Sequence, residues 1–151
     1  VMAAGLAGSV ALGHGARIAF LALIAASMVV DARERRVPNA LVLALIACAL
    51  VVAVTGRAWR ELAWVAGAAV AVCGALVGFE VLWRRLRGSA GIGMGDIKVL
   101  FCMMLVDPAA ALAAFAAGLL VLALVAAALR RSSLPLMPFF GAAFLVLTVI
   151  L

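Results

Sequence analysis

Residues 83–106 read WRRLRGSAGIGMGDIKVLFCMMLV: a basic cluster, a glycine-rich break, an aspartate and then a short apolar run. Glycines at 88, 91, 93 and 95 make a regular helix costly between Arg87 and Asp96. The run that follows, Ile97–Val106, has only ten residues. That is about 15 Å of helix, too short for a hydrocarbon core that takes about 20 residues to cross. Non-helical backbone at membrane depth is tolerated only where protein buries it or where it lines a watery cavity. A functional site is therefore expected here.

The rest of the chain supplies the membrane setting. Of its 151 residues, 70% are hydrophobic and 12% charged, and the mean hydropathy is +1.38. A water-soluble domain carries about half apolar and about a quarter charged residues, so a soluble globular fold is ruled out. Four runs approach or reach spanning length: Pro38 to Gly56, Leu62 to Trp83, Ala109 to Leu129 and Leu134 to Leu151. Two shorter ones, Ile18–Val30 and Ile97–Val106, each abut an aspartate, Asp31 and Asp96. The Ala- and Gly-rich stretch Val1 to Gly13 either extends the first helix outward or lies at the interface. The expected fold is all-α, a polytopic membrane helix bundle of about six transmembrane helices. Two of these are expected to be short and to adjoin the aspartates, and residues 1–151 are expected to form a single transmembrane domain.

Charge sets the orientation. With the N-terminus outside, the inner side receives Arg33, Arg35, Arg36, Arg84, Arg85, Arg87, Lys98, Arg130 and Arg131, and the outer side Arg17, Arg57 and Arg60. Basic residues favour the cytoplasmic side, so Asp31 and Asp96 are expected on that face of a multi-pass membrane protein. No basic stripe interleaved with aromatics appears, and nucleic acid is not an expected partner. Cys48, Cys73 and Cys102 stand singly in apolar runs, which argues against zinc and against disulfides and fits small buried hydrophobes. No basic residue precedes Arg17, unlike the charged start of a cleavable signal peptide.

The chemistry then rests on carboxylates. An acid at the edge of a membrane span is expensive and is a functional candidate by default. Two on one face suit general acid and base work, because close like charges do not both ionise readily and titrate as a unit. Simpler roles stand beside this one. Asp96 could N-cap its short helix, and Asp31 could be an interfacial residue beside three arginines.

Two stretches resemble the type IV prepilin peptidases. Asp31-Ala32-Arg33-Glu34-Arg35-Arg36-Val37-Pro38-Asn39 is similar to that family's Asp, basic residues and Ile/Val-Pro-Asn after the first helix. Gly93-Met94-Gly95-Asp96-Ile97-Lys98 is similar to its GxGD signature followed by x and Lys. The resemblance implies a GxGD intramembrane aspartyl endopeptidase with Asp31 and Asp96 as its catalytic pair. Such an enzyme removes short basic leaders from prepilin, pseudopilin or archaeal flagellin-like precursors, with no metal and no cofactor. Long members also carry a region with paired CxxC motifs and N-methylate the trimmed product. This sequence resembles the short, peptidase-only members, so methyltransferase activity is not expected.

Around the pair, Gly91, Gly93 and Gly95 are read as admitting substrate backbone or permitting the turn. Lys98 is read as biasing Asp96, as meeting lipid phosphate, or as plain inside charge. Pro38 is expected to open the second helix, where its missing N–H costs nothing, with Asn39 bonding nearby backbone. Glu80 precedes Arg84 by one turn, the order of a supportive ion pair, and His14 stands alone. The arginines at the aspartate face suit anionic membrane lipid. Two other classes share the hydropathy: a small membrane transporter and a non-catalytic structural subunit of a pilus or secretion assembly. A transporter usually places acids deeper in several spans.

Overall fold

A computed structural model describes residues 2–34, 37–88, 91–130 and 135–150, with side chains from residue 10 onward. Six helices make up these segments: α1 (Met2–Glu34), α2 (Asn39–Gly56), α3 (Trp59–Arg87), α4 (Met94–Val106), α5 (Pro108–Leu129) and α6 (Met137–Ile150). No strand occurs among the described residues. Four stretches are long and apolar enough to cross a membrane: Val10–Glu34 of α1, and all of α2, α3 and α5. Large apolar side chains such as Ile18, Leu43, Trp64, Val70 and Leu124 are exposed on the bundle's outside, as a lipid-facing surface requires. The chain is a membrane protein.

Helix α1 corrects the expectation of a short first span. It runs for 33 residues, because the Ala-rich start continues the helix outward, and Asp31 lies inside its last turn. The short fourth helix stands as expected, with 13 residues. Helix α6 begins at Met137, after Pro135 and Leu136; Leu134, where that span was expected to open, lies outside the described residues, as do Leu151, Arg35, Arg36 and Arg131.

The helices alternate in direction. One bundle end gathers the close of α1 and the starts of α2, α4 and α6; the opposite end holds the turns α2–α3 and α4–α5. Contacts close a ring through α1, α2, α4, α5 and α6 and back to α1, while α3 joins mainly through α4. Helix α4 is the hub: Ile97, Val99, Leu100 and every residue from Cys102 to Val106 are buried. Around it the other helices turn narrow buried stripes inward. On α1 the stripe is Phe20, Ile24, Ser27 and Asp31, whose spacing of four, three and four is one face of a helix. Phe20 meets Phe144 edge to face at 6.3 Å, and Phe115 meets Phe140 at 6.0 Å, tying α1 and α5 to α6. Helices α5 and α6 pack tightly at Gly118, where a Cβ would lie 2.5 Å from that of Phe140.

Both connections of α2 follow local chemistry. Pro38 occupies the N-cap of α2 at φ −60°, and its carbonyl accepts from the Val42 amide at 3.2 Å. At the far end Arg57 donates to the carbonyls of Leu105 (2.9 Å) and Val106, the last of α4. Asp107 alone joins α4 to α5. Its Oδ1 accepts from the Ala110 amide at 3.0 Å, and Pro108 follows at the first helical position.

Candidate active site

Asp31 is carried in by the buried stripe of α1 and is 6% exposed. Its Oδ2 is buried with no hydrogen-bond partner among the described residues, an atom that water, a proton or substrate must satisfy. The backbone amide of Met137, at the start of α6, sits beside the same carboxylate.

Asp96 comes from the other side, on the first turn of α4. The expectation that it caps α4 is corrected: Gly93 is the N-cap, and its carbonyl accepts from the amides of Asp96 (3.0 Å) and Ile97 (3.3 Å). As the third helical residue Asp96 still lies where the helix dipole favours a carboxylate. The two aspartates line one cavity of about 280 Å³ and are close enough to feel each other's charge.

Most of the residues singled out from sequence meet there. Gly93, Gly95, Lys98 and Asn39 line the cavity with both aspartates, together with Val37, Val42 and Met94. Pro38 does not line it and acts one residue away, as the cap of α2; Gly91, expected with the other glycines at the pair, does not line it either, its amide being taken up by Glu80. The glycines differ. A Cβ on Gly93 would stand 2.9 Å from Oδ2 of Asp96, whereas one on Gly95 would make an ordinary 3.7 Å contact with Val37. Gly93 thus keeps space directly at a carboxylate oxygen, and Gly95 is under no such pressure.

Sequence reasoning missed the role of Glu80. The ion pair with Arg84 is present, but the carboxylate also accepts from the backbone amides of Gly91 and Ile92, in the loop that leads to Asp96. A lone acid in an otherwise apolar span was the available signal.

The profile of the type IV leader peptidase family matches residues 18–151. The chain belongs to the type IV leader peptidase family. Searches of curated proteins and of solved structures return no match. Membership makes the chain a peptidase with a protein substrate, and in this leader peptidase the cavity shared by Asp31 and Asp96 is the candidate active site. His14, by contrast, sits toward the opposite end of the bundle, where its Nδ1 lies 2.8 Å from the Val10 carbonyl oxygen.

Proposed function

We propose that this leader peptidase is an intramembrane aspartyl endopeptidase. It trims the short basic leader from prepilin-like, pseudopilin-like or archaeal flagellin-like precursors at the cytoplasmic face of the inner membrane. The observation that carries the proposal is the convergence of Asp31 and Asp96 on one cavity from helices far apart in sequence. The orientation rests on the basic residues at the same bundle end, among them Arg33, Arg84 and Lys98.

Hydrolysis needs one base and one acid, and the pair supplies both. The ionised carboxylate takes a proton from water as its oxygen bonds to the scissile carbonyl carbon. The protonated partner gives its proton to the carbonyl oxygen, leaving a tetrahedral diol. On collapse the C–N bond breaks and the amine takes the proton that came from water. The other carboxylate recovers a proton from a diol hydroxyl, so a carboxylate and an acid remain. Gly93 keeps side-chain bulk away from Asp96 Oδ2, and Lys98 stands at the rim. The substrate's apolar helix packs along the bundle with its cytoplasmic end at the cavity. The chain acts as one domain, because one carboxylate comes from α1 and the other from α4. It carries no paired CxxC, and its proposed activity is trimming alone.

The test is cleavage of a co-expressed prepilin-type precursor by the wild type, Asp31→Asn and Asp96→Asn at matched membrane levels. Trimming by the wild type and by neither variant is the expected result. Trimming by both variants would make the aspartates structural and overturn the aspartyl mechanism; no trimming by the wild type would leave the transporter or subunit readings in place.

A further inference from the structure

Glu80 is 1% exposed, on the stripe of α3 (Ala69, Cys73, Glu80) that is buried in the bundle. Its Oε2 accepts from the Ile92 amide at 2.7 Å and from Gly91 at 3.1 Å. Its Oε1 accepts from Gly91 at 3.2 Å and from Arg84 Nε. Gly91 is wedged: a Cβ there would lie 3.0 Å from Glu80 Oε2 and 3.2 Å from Trp83 Cδ1. Two residues beyond Ile92 begins α4, and two residues into α4 stands Asp96.

An ion pair on a helix surface needs no buried carboxylate and no loop amides. Here the carboxylate satisfies two N–H groups that no helix or strand pairs. It also fixes the loop against α3. Cys73, two turns earlier on the same stripe, reaches the Ile97 carbonyl at 3.8 Å, so α3 grips α4 on both sides of Asp96.

We propose, resting on the peptidase reading above, that Glu80 is a positioning residue: by clasping the Gly91–Ile92 backbone it sets where α4 begins and so holds Asp96 at the distance from Asp31 that cleavage needs. Arg84 closes the clasp from the solvent side, being about half exposed.

The test uses the full chain purified in detergent, with the prepilin-type precursor as substrate. Glu80→Gln keeps the size of the side chain and turns one acceptor into an NH₂ donor facing backbone N–H groups. We expect kcat to fall about tenfold or more, since misplacement by about 1 Å costs up to ~100-fold, with KM changed less than about twofold. Amide exchange at Gly91 and Ile92 should rise while amides in α2 and α5 keep their protection. Gly91→Ala keeps the glutamate but sets a methyl group against its Oε2 and Trp83, loosening the clasp from the loop side. It should give the same split, and it decides the matter if Glu80→Gln does not fold.

An unchanged kcat in the folded variants overturns the proposal, as does unchanged exchange at Gly91 and Ile92. A loss of activity that only tracks the loss of folded protein also overturns it. Failure of the wild type to cleave would overturn the peptidase reading itself, a result distinct from normal cleavage by the Glu80 variant.

Discussion

The two ends of α4 solve one physical problem in opposite ways. A helix of 13 residues spans about 20 Å, less than a hydrocarbon core of about 30 Å, so its two ends cannot both reach the membrane surfaces. Each end leaves backbone groups that the helix does not pair. At the C-terminal end the solution is compact. Arg57 donates to two carbonyls, Asp107 turns the chain in one residue, and α5 starts at once. At the N-terminal end a glycine-rich loop intervenes, and an acceptor, Glu80, takes the place of the donor. The loop end is the costlier construction, and it is the end where Asp31 and Asp96 meet. The compact end turns the chain in one residue; the loop end carries Asp96.

The comparison breaks most visibly on the carboxylates. Asp31→Asn or Asp96→Asn should cut precursor cleavage by about 10²- to 10⁴-fold, the usual worth of a general acid or base. Asp107→Asn, at the compact end, should leave it within about twofold of wild type, because an amide oxygen still caps α5. Comparable losses at all three positions would erase the division between the ends.

Arg57 carries the next largest effect. Arg57→Leu strips the carbonyls of Leu105 and Val106 of their donors, and unsatisfied buried acceptors cost about 1–3 kcal/mol each. Thermal unfolding in detergent should show a destabilisation of about 2–6 kcal/mol, while kcat per folded molecule stays near wild type. A selective loss of kcat would mean that the compact end also sets the site.

Much of this was legible in the sequence, and the reason is specific. Charged residues interrupting apolar runs are conspicuous, so Asp31, Asp96 and the shortness of α4 stood out. The motif residues Gly93, Gly95, Lys98 and Asn39 followed by proximity in sequence. What escaped notice is non-local. Glu80 satisfies the helical spacing rule with Arg84, and that local explanation hid a partner beyond the glycine loop. Arg57 reads as an outer-face charge because nothing periodic links it to Leu105 or Val106, nearly fifty positions on. The length of α1 stayed open between two readings for a different reason. Alanine is the best helix former yet only weakly apolar, so an Ala/Gly stretch carries little hydropathy signal while still continuing a helix.

Within the loop end, the glycines sharpen the comparison further. Gly93→Ala places a methyl group 2.9 Å from Asp96 Oδ2. The carboxylate must turn away, and cleavage should drop about tenfold with little change in thermal stability. Gly95→Ala meets only Val37, at 3.7 Å, and should stay within about threefold of wild type. Equal losses would mean that the loop needs glycine for its flexibility and not for space at the acid.

The smallest effect belongs to the compact end. Asp107→Ala removes the side-chain acceptor for the Ala110 amide and should cost about 1 kcal/mol, the ordinary worth of an N-cap. Pro108 still starts α5, since its fixed φ and missing N–H suit the first helical position without help from the cap. Arg57 still holds the α4 carbonyls, so the turn should keep its course and kcat should not move. A loss well above 1 kcal/mol in thermal unfolding would show that Asp107 and Arg57 act as one unit. The double variant Arg57→Leu with Asp107→Ala measures this directly: additive losses mean two independent fastenings, and a sub-additive loss means a single shared one.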